Sequence, residues 1–438
     1  MKKIALSLAG VLAATVFSPE ASAIPAFARQ VGMACSACHY QHFPVLNSFG
    51  RAFKQGGYTL VGSQEKIEGD GVSLPATLNA ALVGYVSYQK TNGPATATPT
   101  GKNSNDGQLM VPQQVSLFAG GRAGEHIGFE AEVNMANAGL TAGTQQSGLI
   151  RLKIPFVYDV GSVKVGVIPF STGLGPADSF ELLNTGAVAV HAFNQSNMSA
   201  VSAQQYIGTG AVGAAGVAFV ASNDSFFANV AKWGANGGAG TSGGPTSNYL
   251  RAAWTPGDLI PGFDFAVGGQ VWSGSSAETA PTVNPINGVV DTKASAIDAQ
   301  LMGDVGNGMP LLVVASWAKA PATTAANLAA GTSINRFNTN SSDRKSFNVG
   351  AELGLIPNKA TVQLGFRRAN SGAVVPGTAA GNASDNAYLL GATYAIALNA
   401  RMELTYVKSS GDAYNAAAKA AAGYTGDTFT MLDLAFGF

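Results

Sequence analysis

Phe347-Asn348-Val349-Gly350-Ala351-Glu352-Leu353, followed by Thr361-Val362-Gln363-Leu364-Gly365-Phe366-Arg367, is the stretch that decides the fold. In the first run Phe347, Val349, Ala351 and Leu353 alternate with Asn348, Gly350 and Glu352. In the second, Val362, Leu364 and Phe366 alternate with Thr361, Gln363 and Arg367. A period of two puts each set on its own face of a β-strand. The short connection near 356–358 makes the two runs a hairpin. The pattern recurs elsewhere. Ile127, Phe129, Ala131 and Val133 alternate with Gly128, Glu130 and Glu132. Ile150, Leu152, Ile154 and Phe156 alternate with Arg151 and Lys153, and Met402, Leu404 and Tyr406 with Arg401, Glu403 and Thr405.

The connections between such runs are themselves patterned. Short ones lie near 122–125, 158–161, 222–224, 255–261, 305–308, 356–358 and 398–399. Long ones lie near 91–109, 136–147, 170–210, 234–246, 274–293, 320–342, 370–384 and 409–426, and are rich in Gly, Ala, Ser, Thr and Asn. Short turns at one end and long loops at the other describe a transmembrane barrel of the outer-membrane porin type. The connections divide residues 75–438 into about sixteen antiparallel strands, with residues 200–207 assigned to a loop because an extra strand would break the even count. Charged residues then face the lumen and apolar ones the lipid. For Glu130, Glu132, Asp298, Glu352 and Glu403 the simplest expectation is a charge network with Arg151, Lys153, Arg367 and Arg401. Trp233, Trp254, Trp272, Trp317 and Tyr249 suit interfacial girdles. The last run, Thr428 to Phe438, alternates and ends on Phe, which resembles the terminal signal of bacterial outer-membrane barrels. A secreted β-sandwich or solenoid is the alternative fold, but so few charges would serve a soluble protein poorly.

Composition agrees. Of 438 residues only 11% are charged, against roughly 25% in ordinary soluble domains. Lys and Arg total 25 and Asp and Glu total 25, so no basic excess exists to hold nucleic acid. Two Cys exclude a disulfide-rich scaffold, and 46% hydrophobic residues exclude disorder. The start reads as a secretory signal peptide, residues 1–23: basic Lys2-Lys3, an apolar run over 4–17, and the small-residue site Ala21-Ser22-Ala23. No later stretch is long and apolar enough for a transmembrane helix.

Both Cys fall in Cys35-Ser36-Ala37-Cys38-His39, the C-x-x-C-H attachment pattern of c-type haem. Two thiols at this spacing add to the two vinyl groups of one porphyrin, and the adjacent His supplies an axial nitrogen to the iron. The pair lacks the further ligands a zinc site needs and the βαβ context of a redox dithiol. One covalently attached haem c is expected. Leu46, Phe49 and Phe53, spaced three and four apart, form an apolar helix face able to cover haem. Arg51 and Lys54 are candidates for the haem propionates, or lie on a solvated helix side. The sixth iron ligand stays open among His191, His126, His42 and Met33, with Met198 also in reach and an open or weakly filled position as the alternative. His42 is placed awkwardly close to His39; His126 begins a strand and His191 lies in a long loop. Residues 24–74 are few for an independent domain, so this small helical and irregular haem segment is expected to plug the barrel lumen.

Ile24-Pro25-Ala26-Phe27-Ala28-Arg29-Gln30, then Gly32-Met33-Ala34 before the motif, Phe43-Pro44-Val45-Leu46-Asn47 and Phe49-Gly50-Arg51-Ala52-Phe53-Lys54 after it, resemble the fused monohaem cytochrome–porins of iron-oxidising bacteria. Close likeness covers about residues 24–60; the barrel matches in pattern. The resemblance implies a bacterial outer-membrane protein, surrounded by outer-membrane lipid, that takes electrons from extracellular Fe(II) and passes them through one haem c to a periplasmic c-type cytochrome or other carrier, in effect an Fe(II):cytochrome c oxidoreductase. Carried over by residue, Cys35 and Cys38 hold the haem and His39 ligates its iron. An outward conduit to extracellular acceptors and a haem-gated diffusion porin are the other functions this plan allows.

Overall fold

The computed structural model describes residues 26–62, 64–70, 72–94, 105–137, 148–235, 244–277, 288–374, 383–420 and 424–438. The expected signal peptide and parts of six long connections lie outside them. A closed antiparallel barrel is built from β1 (Ala80–Thr91), β2 (Gln108–Arg122), β3 (Gly128–Asn137), β4 (Gly148–Lys153 continued by Phe156–Val160), β5 (Val163–Thr172), β6 (Ala214–Ser222), β7 (Phe226–Ala235) and β8 (Ser247–Ile260). It continues through β9 (Phe263–Ser273), β10 (Ala294–Asp304), β11 (Pro310–Ala320), β12 (Arg344–Ile356), β13 (Ala360–Asn370), β14 (Asn386–Ala397), β15 (Ala400–Ser410) and β16 (Thr428–Gly437). Each strand pairs with the next, and β16 closes on β1 from Phe429↔Thr91 to Gly437↔Val83. β4 is one strand interrupted at Ile154-Pro155, where proline offers no N–H to the ladder; both halves pair with β5. The strand count is therefore sixteen.

The wall is inside-out relative to a soluble protein. On the inward positions Glu130, Glu132, Arg151, Lys153, Asn229, Arg251, Asp298, Asn348, Glu352, Gln363 and Glu403 are buried. The alternating outward positions Phe219, Ile297, Leu364 and Leu390 are each more than half exposed, at 55–59%. An apolar outer face on a closed ring, which leaves no strand edge open, is the wall expected of a membrane-spanning barrel. Among the described residues no helix is long and apolar enough to cross a membrane. The turns between neighbours stay tight through residues able to take positive φ, such as Gly161 (φ 63) after β4 and Asn358 (φ 56) after β12.

Three expectations change. Trp233, Trp272 and Tyr249 are not girdle residues: all are at most 1% exposed and point inward. Tyr249 and Trp272 pack with ring centroids 5.1 Å apart, and Trp272 reaches Phe337 at 6.3 Å. Period-two reading gives alternation but not which face is inner, and large rings fill a closed lumen as well as they anchor a headgroup layer. Trp254, 51% exposed, does face out. Second, the connection near 255–261 shrinks to Pro261-Gly262, because β8 runs on to Ile260 with irregular register beyond Trp254; likewise β4 runs to Val160. Third, His126 does not begin a strand. It lies in the turn before β3, its ring stacked on Tyr158 at 4.4 Å.

The lumen is filled twice over. Residues 26–62 enter as Ala26–Val31, a short 3-10 turn at Cys35–Ala37 and the helix Ser48–Gln55. The barrel itself starts at Ala80, after a small hairpin (Lys66–Gly69 with Val72–Pro75) that precedes it. The long connection after β5 also folds inward rather than outward. Its residues bond to walls on several sides: Asn184 N to Gln300, Thr185 to Asp298, Asn194 to Gln363 and Thr405, and Ser196 to Glu403 and Asp433. Residues 198–201 and 203–207 are short helices within this loop, so no strand is added there.

Candidate functional site

The C-x-x-C-H run forms a helical turn. His39 N and Cys38 N both donate to Cys35 O, at 2.9 and 3.1 Å, which puts the two free thiols on one side. The following helix locks the turn from behind. Asn47 caps that helix by accepting from Gly50 N at 2.9 Å, and its own N–H donates to Cys38 O at 3.0 Å. Gly50 is needed for the approach: a Cβ there would strike the Cys38 carbonyl. Behind the helix, Phe27 stacks on Tyr58 (4.8 Å) and meets Phe53 edge-on (5.2 Å). Tyr58 donates to Glu130 Oε2 at 2.7 Å, tying this aromatic knot to β3.

Cys35, Cys38 and His39 line one cavity of about 480 Å³, inside the roughly 300–1,000 Å³ range of cofactor sites. Its walls are mainly apolar, with Phe27, Leu46, Phe53 and Phe118 among them. It lies against the short-turn end of the barrel, at Asn358-Lys359, Leu398-Asn399 and Phe436-Gly437. Burial pushes both thiols up. It also pushes the His39 imidazole down to about 4, so the ring is neutral. His39 Nδ1 lies 3.2 Å from Val45 O. A carbonyl only accepts, so Nδ1 carries the proton and Nε2 keeps its lone pair. This is the tautomer an iron ligand would need, held by the kind of second contact that orients metal-bound histidines. Two thiols, a neutral imidazole and an apolar cavity together fit a covalently held haem.

The other candidates separate cleanly. Lys54 and His191 both line the cavity, with Lys54 Nζ 3.1 Å from His191 Nε2. Burial, with the charge of Lys153, pushes the Lys54 ammonium down to about 7. Met33 lines the cavity and is 41% exposed. His42 lines it too, but both its ring nitrogens are engaged: Nε2 is 2.7 Å from Glu352 Oε1, and Nδ1 is 2.7 Å from Phe43 O and 3.0 Å from Arg401 Nη1. His126 is not among the lining residues. Arg51 is also absent from the lining; it pairs with Asp264 on β9. Met198 packs instead against the apolar cluster that includes Phe193 and Val201. Lys359, from the β12–β13 turn, and Arg401, at the start of β15 and expected only in a charge network, do line the cavity; no local pattern linked them to the C-x-x-C-H run some three hundred residues away in sequence.

Of the expected lumen acids Glu130, Asp298, Glu352 and Glu403 have basic partners, though not all the ones expected, whereas Glu132 accepts from Gln114. Glu130 binds Arg151 (2.5 Å) and Lys153 (2.8 Å), and the inserted loop adds Asp178 to Arg151 (2.8 Å). Arg251 binds Asp298 (2.6 Å) and Glu181 (3.1 Å). Arg367 pairs with Asp385 rather than with one of the expected acids. Among the described residues no group of three or more His, Cys, Asp or Glu is arranged to hold a metal ion.

No family model and no curated protein matches the chain. Solved structures do. OmpF of Salmonella typhi, solved in complex with daunomycin, aligns with 85% of this chain and 100% of its own, at TM-score 0.51 and 11% identity. The fold is that of an outer-membrane porin. OmpT of Vibrio cholerae (85% of this chain and 100% of its own, 11% identity, TM-score 0.45) and the channel DcaP of Acinetobacter baumannii (83% and 98%, 10% identity, TM-score 0.45) align more loosely.

Proposed function

We propose that this outer-membrane barrel is an electron conduit that oxidises extracellular Fe(II) and passes the electrons, through one covalently attached haem c, to a periplasmic carrier such as a c-type cytochrome. The observation that supports this reading is the meeting of Cys35, Cys38 and His39 on one apolar cavity inside the lumen. When bound, the haem supplies a one-electron carrier within the thickness of the membrane. Cys35 and Cys38 would tether it, His39 Nε2 would ligate its iron, and Lys54, Lys359 and Arg401 would balance the propionates. The apolar walls keep water from the carrier, and the neutral His39 needs no deprotonation to bind. Short turns face the periplasm in barrels of this type. The cavity's place beside turns 357–359 and 398–399 then brings the carrier near a periplasmic acceptor. Fe(II) as the donor rests on the resemblance of residues 24–60 to cytochrome–porins. The test is anaerobic addition of Fe(II) to oxidised, detergent-purified holoprotein. A reduced c-type haem spectrum is expected. Reduction by dithionite but not by Fe(II) would overturn the donor and favour an outward conduit.

The porin fold favours a second reading, a diffusion porin in which residues 26–62 act as a gate. Swelling of protein-bearing liposomes in small sugars discriminates, because a lumen filled by both the haem segment and the inserted loop should pass them poorly.

A further inference from the structure

We infer that His191 would supply the haem iron's second protein ligand beside His39; this rests on the haem reading above. Each histidine reaches the cavity from a different part of the chain, His39 from the N-terminal segment and His191 from the loop inserted after β5. Both are prepared the same way. His191 Nδ1 lies 3.0 Å from Leu183 O, as His39 Nδ1 lies 3.2 Å from Val45 O. Each carbonyl can only accept, so both rings carry their proton on Nδ1 and present an Nε2 lone pair. Backbone contact of this kind fixes the ring and the tautomer of metal-bound histidines. That Nε2 lone pair lies 3.1 Å from Lys54 Nζ, which also lines the cavity and would have to release it for iron to bind, leaving the ammonium free for a propionate. His191 is 4% exposed and sits in the 3-10 turn Ala189–His191, whose Nδ1 partner Leu183 is fully buried. The ring is therefore built into the fold rather than carried on a surface arm. The competitors are weaker on the same criteria. His42 faces acceptors at both nitrogens, Phe43 O and Glu352 Oε1, whereas the partner of His191 Nε2 is a donor; His126 lies off the cavity, and Met33 is 41% exposed.

The assignment explains why the loop enters the lumen so near the haem segment: it carries a ligand to the cavity. With haem bound, His39 and His191 together would leave the iron no position for small ligands.

The experiment compares holoprotein with His191→Ala, His191→Met and Met33→Leu variants, after a haem stain of the denatured band. The readouts are the optical and low-temperature EPR spectra of ferric protein and carbon monoxide binding to ferrous protein. Parent holoprotein should be low-spin with a bis-imidazole signature and refractory to carbon monoxide. His191→Ala should turn high-spin and bind carbon monoxide, and His191→Met should shift to a histidine–methionine signature, both with the covalent haem retained. A low-spin bis-imidazole spectrum that survives His191→Ala, or a change seen with Met33→Leu instead, would overturn the assignment while leaving the haem reading intact. A band without covalent haem in the parent protein would instead remove the haem reading on which the assignment rests.

Discussion

Asn184, in the loop inserted after β5, holds Leu46 of the N-terminal segment by both backbone groups: Leu46 N donates to Asn184 Oδ1 at 2.9 Å, and Asn184 Nδ2 donates to Leu46 O at 2.8 Å. The contact imitates one rung of a β-ladder with a side chain in place of a strand. It sets the register of one lumen insert on the other, one residue beyond Val45, whose carbonyl orients His39. Asn184 is itself fixed to the wall, since its N–H donates to Gln300 on β10 at 2.7 Å.

Asn184→Ala removes both bonds to Leu46. Each hydrogen bond is worth about 0.5–1.5 kcal/mol net, so the N-terminal segment should loosen while the barrel stays folded. Limited proteolysis of the holoprotein should cut near residues 40–47 faster than in the parent, with the barrel fragment intact. An unchanged cleavage rate would show that the latch carries no stability.

Gly50→Ala should damage haem attachment without touching a thiol. The new Cβ meets the Cys38 carbonyl, which also accepts from Asn47 N. The turn bearing the motif must shift, so the ratio of covalent haem to protein should fall. Gly124→Ala is the matched control, because its Cβ would meet only the Ile127 side chain at ordinary contact distance. Equal haem content in the two variants would contradict the role given to Gly50.

Arg251→Met should be strongly destabilising. Arg251 is fully buried between Asp298 and Glu181, and its loss strands two buried carboxylates. Breaking one side of such a pair costs about 3–5 kcal/mol. The urea midpoint for unfolding in detergent should drop accordingly. Adding Asp298→Asn and Glu181→Gln should recover part of the loss, and no recovery would mean that packing of the guanidinium mattered more than its charge.

Deleting residues 26–62 tests the plug. Those residues touch walls as far apart as β3 (Tyr58 to Glu130), β9 (Arg51 to Asp264) and β12 (His42 to Glu352). Single-channel conductance in planar bilayers should rise several-fold, limited by the inserted loop that remains. Conductance equal to that of the full chain would place the segment outside the ion path.

Much of this was legible in the sequence, because each readable feature is local. Period-two alternation through Phe347–Leu353, the spacing of short and long connections, and C-x-x-C-H each depend on residues within a few positions of one another. What stayed hidden depends on closure of the ring. Trp233 and Tyr249 face in, yet sequence offers the same alternation for a girdle and for a packed lumen. Asp178 and Glu181 read as ordinary loop acids, and only the inward fold of that loop makes them partners of Arg151 and Arg251. Arg51 was a candidate for the propionates on helix spacing alone, but Asp264, more than two hundred residues on, takes its charge. His191 could be named as a ligand candidate but not ranked, because the carbonyl that fixes its tautomer belongs to Leu183 in the folded loop.

The central claim is that electrons cross the membrane through this barrel. The most direct measurement uses sealed liposomes bearing the holoprotein in one orientation, with oxidised cytochrome c trapped inside and Fe(II) added outside under anaerobic conditions. The trapped cytochrome should become reduced with parent protein and stay oxidised with the Cys35→Ala, Cys38→Ala double variant. Equal reduction by the two proteins, or none by either while external dithionite still reduces the haem of the parent protein, would contradict it.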